Sequence, residues 1–350
     1  MNDRHESGRA FPSLDHRESE GVAGRILFSV AVPVCNEEEV IAETHRRLAA
    51  VLGSRADFDL EIVYVDDGSR DRTAFLLSEI ADNDPRVAVV SLTRNFGQQA
   101  AITAGLRHCM GDAIAVLDAD LQDPPEVLLQ MLDKWREGYA IVYGIRRRRE
   151  AYWRRILYRA FYRVFSALSD VAIPLDSGDF FVMDRRAADA LNALPENRRF
   201  VRALRAWYGG RQFGLPYQRE SRGGGRTKYS LGKYTDVAID SIFSFSARPL
   251  RYLALLGAVL SAVSFAGFLL VLLQWAGGMR IFGASPPETT MVILGLLLLS
   301  GVQLLSLGIL AGYLGRIYME SKGRPGYVTA NLRPSRYHSL PGRGGEPRSP

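Results

Sequence analysis

The sequence predicts an α/β fold built on a mostly parallel sheet with helices on both faces, followed by two membrane-spanning helices. Three observations predict it. Short β-rich runs alternate with helical periodicity through the first half of the chain, each of these runs ends in a polar cluster, and two long uncharged runs lie towards the C-terminus. Strands that alternate with helices argue for a sheet covered on both sides, in which ligands bind beyond the carboxyl ends of the strands.

Ile26 to Val34 (ILFSVAVPV) is the first β-rich run; it stops at Cys35-Asn36-Glu37-Glu38-Glu39, and apolar residues then recur at helical spacing to about Leu52. Leu60 to Val65 is the second, ending in Asp66-Asp67-Gly68-Ser69 before a helix from roughly Thr73 to Ala81. Val87 to Leu92 leads through Thr93-Arg94-Asn95-Phe96-Gly97 into a helix carrying Ala100, Ala101, Ala104 and Leu106. Ala113 to Leu117 is the fourth strand, and it runs into Asp118-Ala119-Asp120-Leu121-Gln122-Asp123-Pro124-Pro125. Asp118 and Asp120 are two apart, so on extended backbone they project from one face, close enough to share a cation. A hard ion such as Mg²⁺ or Mn²⁺ removes their repulsion and takes its remaining ligands from water and phosphate oxygens, which makes a metal-bound diphosphate the natural ligand. Neither a Gly-x-Gly-x-x-Gly fingerprint nor a Walker loop is present. Asp66 and Asp67 stand in their place and offer acceptors for a nucleobase N–H and ribose hydroxyls.

A chain of 350 residues with a net charge of +6 has room for one large or two ordinary domains, and its basic balance fits nucleic acid, an anionic membrane or a phosphorylated substrate. Cys35 and Cys109 lack metal-ligand spacing and make no disulfide framework, in keeping with a reducing compartment. Residues 1–24 are polar with no apolar middle region, so they read as a disordered tail and not as a secretory signal. Arg146 to Arg149, Arg154, Arg155, Arg159 and Arg163 are interleaved with aromatic and aliphatic residues, a pattern expected to lie in a membrane interface; no nucleic-acid reader motif accompanies it. Asp176-Ser177-Gly178-Asp179-Phe180 opens another compact apolar run. Around Arg202, and again in Arg222-Gly223-Gly224-Gly225-Arg226-Thr227-Lys228, cations gather near glycines, which suits a phosphate grip because Arg binds bidentately and Gly permits close approach.

Leu253 to Ala276 is 24 residues without a charge, and Thr289 to Gly315 is also uncharged. At about 1.5 Å per residue each exceeds a hydrocarbon core of about 30 Å. Arg248 and Arg251 precede the first run, and Arg316, Lys322 and Arg324 follow the second, which puts both outer ends on the cytoplasmic side. The expected order is therefore a tail (1–24), a cytosolic α/β domain (25–235), an interfacial helix (236–252), a first span (253–276), an extracytoplasmic loop (277–288), a second span (289–315) and a cytosolic tail (316–350), disordered from about Pro334.

Pro33-Val34-Cys35-Asn36-Glu37, Asp66-Asp67-Gly68-Ser69, Arg94-Asn95-Phe96-Gly97 and Asp118-Ala119-Asp120-Leu121-Gln122-Asp123-Pro124-Pro125-Glu126 together resemble the ordered motifs of inverting GT-A glycosyltransferases of family 2, and more narrowly the polyprenyl-phosphate sugar transferases. The resemblance runs from about Ile26 to Leu332, with Ala203 and Thr227 as mild departures from Gly and Ser. It implies a Rossmann-like GT-A domain. Pro33, Glu37, Asp66, Asp67 and Arg94 would surround the donor nucleotide; Asp118, Asp120 and Gln122 would hold Mg²⁺ or Mn²⁺ and the diphosphate. Asp179 would face the transferred sugar, and Arg202, Arg222 and Lys228 are the candidates for gripping donor and acceptor phosphates. The implied reaction moves a sugar from a UDP- or GDP-linked donor to a polyprenyl phosphate, with inversion, at the cytoplasmic face of the inner membrane; self-association is left open. A processive polysaccharide synthase needs more spans and a Gln-x-x-Arg-Trp motif that is absent, and a non-catalytic scaffold would have lost acids that are all present.

Overall fold

The central strand β1 (Ile26–Val34) is apolar at nearly every position because parallel neighbours flank it and helices cover it above and below. In the computed structural model, residues 25–146, 177–197, 199–219 and 288–339 are described, with isolated positions between 252 and 263. They fall into two units, one formed by the described residues up to 219 and from 325 onward, the other containing the helix 288–321.

In the first unit the elements after β1 are α1 (Ile41–Gly53), β2 (Phe58–Asp66), α2 (Thr73–Asn83), β3 (Val87–Leu92), α3 (Gln98–His108), β4 (Ala113–Val116), α4 (Pro125–Arg136), β5 (Ile141–Arg146), β6 (Ser177–Asp184), α5 (Arg185–Asn192), α6 (Val201–Tyr208), β7 (Gln212–Tyr217) and β8 (Thr329–Arg333). The eight strands form one sheet in the order β7-β5-β6-β4-β1-β2-β3-β8. β4, β1, β2 and β3 run parallel, β6 is antiparallel to β4 and β5, and β8 is antiparallel to β3. The chain winds from β1 outward to β3, then crosses back to β4 on the other side of β1. The crevice between the loops after β1 and β4 is thus a topological switch point, where an open α/β sheet binds ligands.

Alternation along β1 divides the core. Phe28, Val30, Val32 and Val34 pack with Ile41, Leu48 and Leu52 of α1, Leu77 of α2 and Leu128, Met131 and Leu132 of α4 on one face. On the other face α3 lies over β1 and β2 and against α5 and α6. That approach depends on Gly105, since a Cβ there would stand 2.8 Å from the Ala31 Cβ. α5 begins where the Asp184 carboxylate, at the N-cap, accepts the Arg186 N–H at 2.8 Å.

Two expectations are corrected in this unit. The fourth strand stops at Val116, one residue early, because the chain turns through Asp118 to Asp120. The chain after Pro334 is ordered as far as Ser339: Arg336–Ser339 form a 3-10 turn, and Ser335 and Tyr337 are buried. The cause is Glu61, a fully buried carboxylate on β2. It accepts Ser29 Oγ at 2.5 Å, Ser335 Oγ at 2.6 Å and Met110 N–H at 2.8 Å, with His338 Nδ1 at 3.5 Å. A buried carboxylate has to be paired, and the C-terminal segment supplies part of the pairing. The expectations for residues 1–24, the run from 147 to 165, Arg222 and Lys228, the interfacial segment, most of the first span and the loop to 287 lie outside the described residues.

The second unit contains α7 (Glu288–Ser321). Its 34 residues extend about 51 Å, and within it Leu299–Ser321 has a mean hydropathy of 1.3 with none of it buried. By length and composition it is apolar enough to cross a membrane.

Ser335→Ala should lower stability by about 1–3 kcal/mol, because it removes one donor from the buried Glu61 carboxylate. Thermal unfolding of the full-length protein reads this, and an unchanged Tm would mean that the bond from Ser335 to Glu61 adds nothing to stability.

Candidate active site

The loops after β1, β2 and β3 are laced together by side-chain to backbone bonds. Asn36, at a φ of 54°, donates its N–H to Ser69 Oγ at 3.0 Å and accepts Arg70 N–H through Oδ1 at 2.8 Å. Glu37 N–H donates to Thr73 Oγ1 at 2.9 Å. Asp66, the last residue of β2, accepts Ser69 N–H at 3.0 Å, and Asp67 accepts Phe96 N–H at 2.7 Å and Gly97 N–H at 2.9 Å. Both acids are almost fully buried; burial pushes the Asp67 carboxyl up, against the pull of those two N–H groups. Asp67 therefore shapes the β3–α3 loop with both of its oxygens, a use that its sequence context did not reveal. Gly68 is obligatory at this crossing: its φ is +64°, and a Cβ would meet the Arg94 carbonyl carbon at 2.5 Å. Arg94 itself is exposed, its guanidinium 4.2 Å from the Phe96 ring centroid. Pro33 and Asp66, at the ends of β1 and β2, and Glu37, Asp67 and Arg94, in the loops that follow β1, β2 and β3, thus stand at one end of the sheet.

The second part of the site is a knot of carboxylates. β4 and β6 are paired as far as Val116 and Phe181, and two residues further along each strand lie Asp118 and Asp179. The antiparallel ladder thereby brings together two acids far apart in sequence. Asp118 Oδ1 accepts Gln98 Nε2 at 2.8 Å. Asp120, past the end of the strand and followed by Leu121 at a φ of 57°, accepts Gln122 N–H at 3.2 Å and lies 3.7 Å from Arg219 Nη2. The shared extended face expected for Asp118 and Asp120 is replaced by a turn, yet both charges remain in the same cluster. Asp123, almost wholly buried, is the cluster's anchor. It accepts Tyr217 Oη at 2.5 Å and Arg219 Nε at 3.1 Å, and it pairs with Arg146 Nη2 at 3.5 Å.

Charge explains what this arrangement is for. The Asp118 carboxyl is pushed up to about 7, first by burial and then by Asp123, Asp179 and Asp120, with Arg146 pulling the other way. The negative charge at this spot is therefore incompletely neutralised by the protein. Oxygen donors with surplus negative charge suit a hard divalent cation. Among the described residues no group of three or more His, Cys, Asp or Glu is placed to hold one.

Asp179 forms the third part. Its Oδ2 accepts Gln99 Nε2 at 2.9 Å and lies 3.6 Å from Arg202 Nη2. Beneath it sits Arg205, only 2% exposed, with its guanidinium carbon 4.5 Å from the Phe181 ring centroid and 5.4 Å from that of Tyr143. Burial pulls this guanidinium down to about 10 while Asp179 holds it up. Gln98, Gln99, Arg205, Arg219, Tyr217 and the structural use of Asp123 were not found from sequence. A polar pair at the start of an otherwise apolar helix was the one available signal for the glutamines. The sequence pattern puts Arg146 on a cationic interfacial face; in the structure it ends β5 and turns onto Asp123, a path left open by Gly178, where a Cβ would stand 2.7 Å from its Nη2.

A carboxyl held near 7, against about 3.9 in the unfolded chain, costs stability when ionised. That cost grows as pH rises from about 4 to 7 and is full above it. Asp118→Asn should therefore stabilise the metal-free protein by about 1 kcal/mol at pH 8 and by nothing near pH 4. Melting curves in chelator at both pH values read this, and equal shifts at the two would show that like-charge repulsion is not the cause.

Residues 29–191 match the family model described as Glycosyl transferase family 2. The uncharacterized glycosyltransferase YkcC of Bacillus subtilis is 42% identical over 306 residues, which cover 87% of this chain and 93% of its own. The bactoprenol glucosyl transferase of Shigella phage SfV is 34% identical over 305 residues, covering 87% of this chain and 98% of its own. Among solved structures, a mannosyltransferase from Pyrobaculum calidifontis in complex with GDP-Man and Mn²⁺ is similar over 86% of this chain and 88% of its own, at 19% identity and a TM-score of 0.44. With relatives aligned along most of their length at these identities, the chain belongs to glycosyl transferase family 2.

Proposed function

We propose that the protein transfers a sugar from a UDP- or GDP-linked donor to the phosphate of a membrane-embedded polyprenyl phosphate, at the cytoplasmic face of the cell membrane and with inversion at the anomeric carbon. The observation that carries this reading is the under-neutralised carboxylate cluster at the switch point of the sheet, flanked by the Asp179–Arg202 pair. Relatives named bactoprenol glucosyl transferase, aligned over nearly their whole length, support the lipid acceptor.

In this reading the nucleoside lies against Pro33, Glu37, Asp66, Asp67 and Arg94. Asp118 and Asp120, with Gln122, would hold Mg²⁺ or Mn²⁺. When bound, the cation neutralises charge that develops on the leaving diphosphate. A phosphate oxygen of the acceptor attacks the anomeric carbon in line, and the bond to the diphosphate breaks with its electron pair leaving on the nucleotide. Arg202, with Arg222 and Lys228 beyond the described residues, steadies the acceptor phosphate. A phosphate monoester has a second pKa of about 6, so its attacking oxygen is already deprotonated and needs no general base. Asp179 then serves to place the sugar.

The sheet topology constrains how the chain could cross a membrane. β8 pairs with β3 in the sheet that also contains residues 26–217, so the chain between Tyr217 and Thr329 crosses any membrane an even number of times. If α7 is one crossing, the uncharged run 253–276 is the candidate for the other; of its described positions, Leu255, Val259 and Val263 are helical and exposed.

Membranes containing the protein, given Mg²⁺, polyprenyl phosphate and labelled nucleotide sugars, should form a labelled lipid that EDTA abolishes and Mn²⁺ restores. Asp179→Asn should keep donor affinity but lose about 100-fold or more in kcat, by an amount constant from pH 7 to 9. A deficit that vanishes as pH rises would make Asp179 a base, and activity unaffected by EDTA would remove the metal. A reporter after Pro350 should read as cytosolic and one near Ala284 as extracytoplasmic; a cytosolic signal from both would end the two-span reading.

A further inference from the structure

Gln99 is the second residue of α3, and its side-chain amide is held at both ends. Oε1 accepts the backbone N–H of Val201 at 2.9 Å, and Nε2 donates to Asp179 Oδ2 at 2.9 Å. Its orientation follows from chemistry alone. A backbone N–H can only donate, so the amide oxygen must face Val201 and the NH₂ must face Asp179. Val201 opens α6, where the first N–H groups have no partner within the helix, so this bond also ties α3 to the start of the helix that carries Arg202.

The consequence falls on Asp179. Gln99 and Arg202 both engage Oδ2, while Oδ1 is buried with no hydrogen-bond partner among the described residues. A buried acceptor left unsatisfied is costly, and such atoms in a native protein mark a place where a ligand or water completes the set. Arg202 Nε is likewise buried and unpartnered.

The geometry points to Gln99 as the positioning residue for sugar transfer: it loads one oxygen of Asp179, leaves the other for a sugar hydroxyl, and locks the carboxylate to the helix bearing the acceptor-side arginine. This rests on the proposed function, in that Asp179 must face the sugar. The role needs a donor towards Asp179 and an acceptor towards Val201 at one fixed length. Asn is too short, and Glu supplies only the acceptor while ionised.

The test compares Gln99→Glu, Gln99→Met and Asp179→Asn in the full-length protein, measuring lipid-linked product, donor KM and melting temperature. Gln99→Glu keeps the bond to Val201 but sets a carboxylate against Asp179. It should melt close to the wild type near pH 5, where the new carboxyl is protonated, hold donor KM within about twofold and lose about 10- to 100-fold in kcat at pH 8. Relative to the wild type, its deficit should shrink as pH falls towards 5, because the protonated carboxyl again donates to Asp179. The charged groups facing that position are Asp179, Arg202, Arg205 and, through Gln98, Asp118. The Gln99→Met deficit should be independent of pH. Wild-type kcat in Gln99→Glu, or a deficit in it that ignores pH and follows a lowered melting temperature, would overturn the inference and leave Gln99 as a brace. If Asp179→Asn is itself fully active, the reading of Asp179 has failed; if it is inactive while Gln99→Glu is normal, only the role of Gln99 has.

Discussion

Four carboxylates, Asp118, Asp120, Asp123 and Asp179, crowd the end of the sheet where β4 and β6 run out, and their mutual repulsion organises what surrounds them. Repulsion among buried charges must be met by counter-charge or by protonation. The fold meets it in part, with Arg146 and Arg219 against Asp123 and Asp120 and with Arg202 beside Asp179. The remainder falls on Asp118, whose carboxyl is held near 7. Full neutralisation by the chain would leave nothing for a cation or a substrate to satisfy. The residual imbalance is the feature that a metal-bound diphosphate would relieve.

The arginines are specific in how they are held. Arg146 reaches Asp123 beside Tyr217, whose hydroxyl accepts from Arg146 and donates to the carboxylate. Arg205 lies under Asp179 against the faces of Phe181 and Tyr143, where the rings of an otherwise apolar site receive the guanidinium. Because α3 supplies Gln98 to Asp118 and Gln99 to Asp179, one helix start sets the spacing of the acid expected on the donor side and the acid expected beside the sugar. The same loop is fixed from behind by Asp67 through the N–H groups of Phe96 and Gly97. The nucleoside end and the sugar end of the crevice are thus coupled through a few residues of backbone.

At the opposite edge the chain returns from α7 to add β8 beside β3 and to bury Ser335 on Glu61. β8 takes over the edge of the sheet from β3, and at five residues it is the kind of short strand that offers little template for unwanted pairing. The return also gives the chain after α7 a fixed place in the sheet that carries the acids.

Local physics made much of this readable in the sequence. Short continuous apolar runs located β1 to β4 and period-3.6 patterns the helices after the first three, because a buried parallel strand must be apolar on both faces and its flanking helix on one. The uncharged run from Thr289 fell within α7 for the same kind of reason. Resemblance to the family singled out Asp118, Asp120, Asp179 and Arg202, which the structure gathers at one end of the sheet. What the sequence left undecided was every feature that depends on pairing between distant segments. β6 runs against β4 and so sets Asp179 opposite Asp118; Arg146 leaves the basic run to meet Asp123; Ser335 finds Glu61 across more than half the chain. Gln99 carries no charge and follows no pattern, so its role exists only once α6 and β6 are in place. Periodicity reports which face of an element is buried and is silent on which partner buries it, and that choice belongs to the tertiary structure.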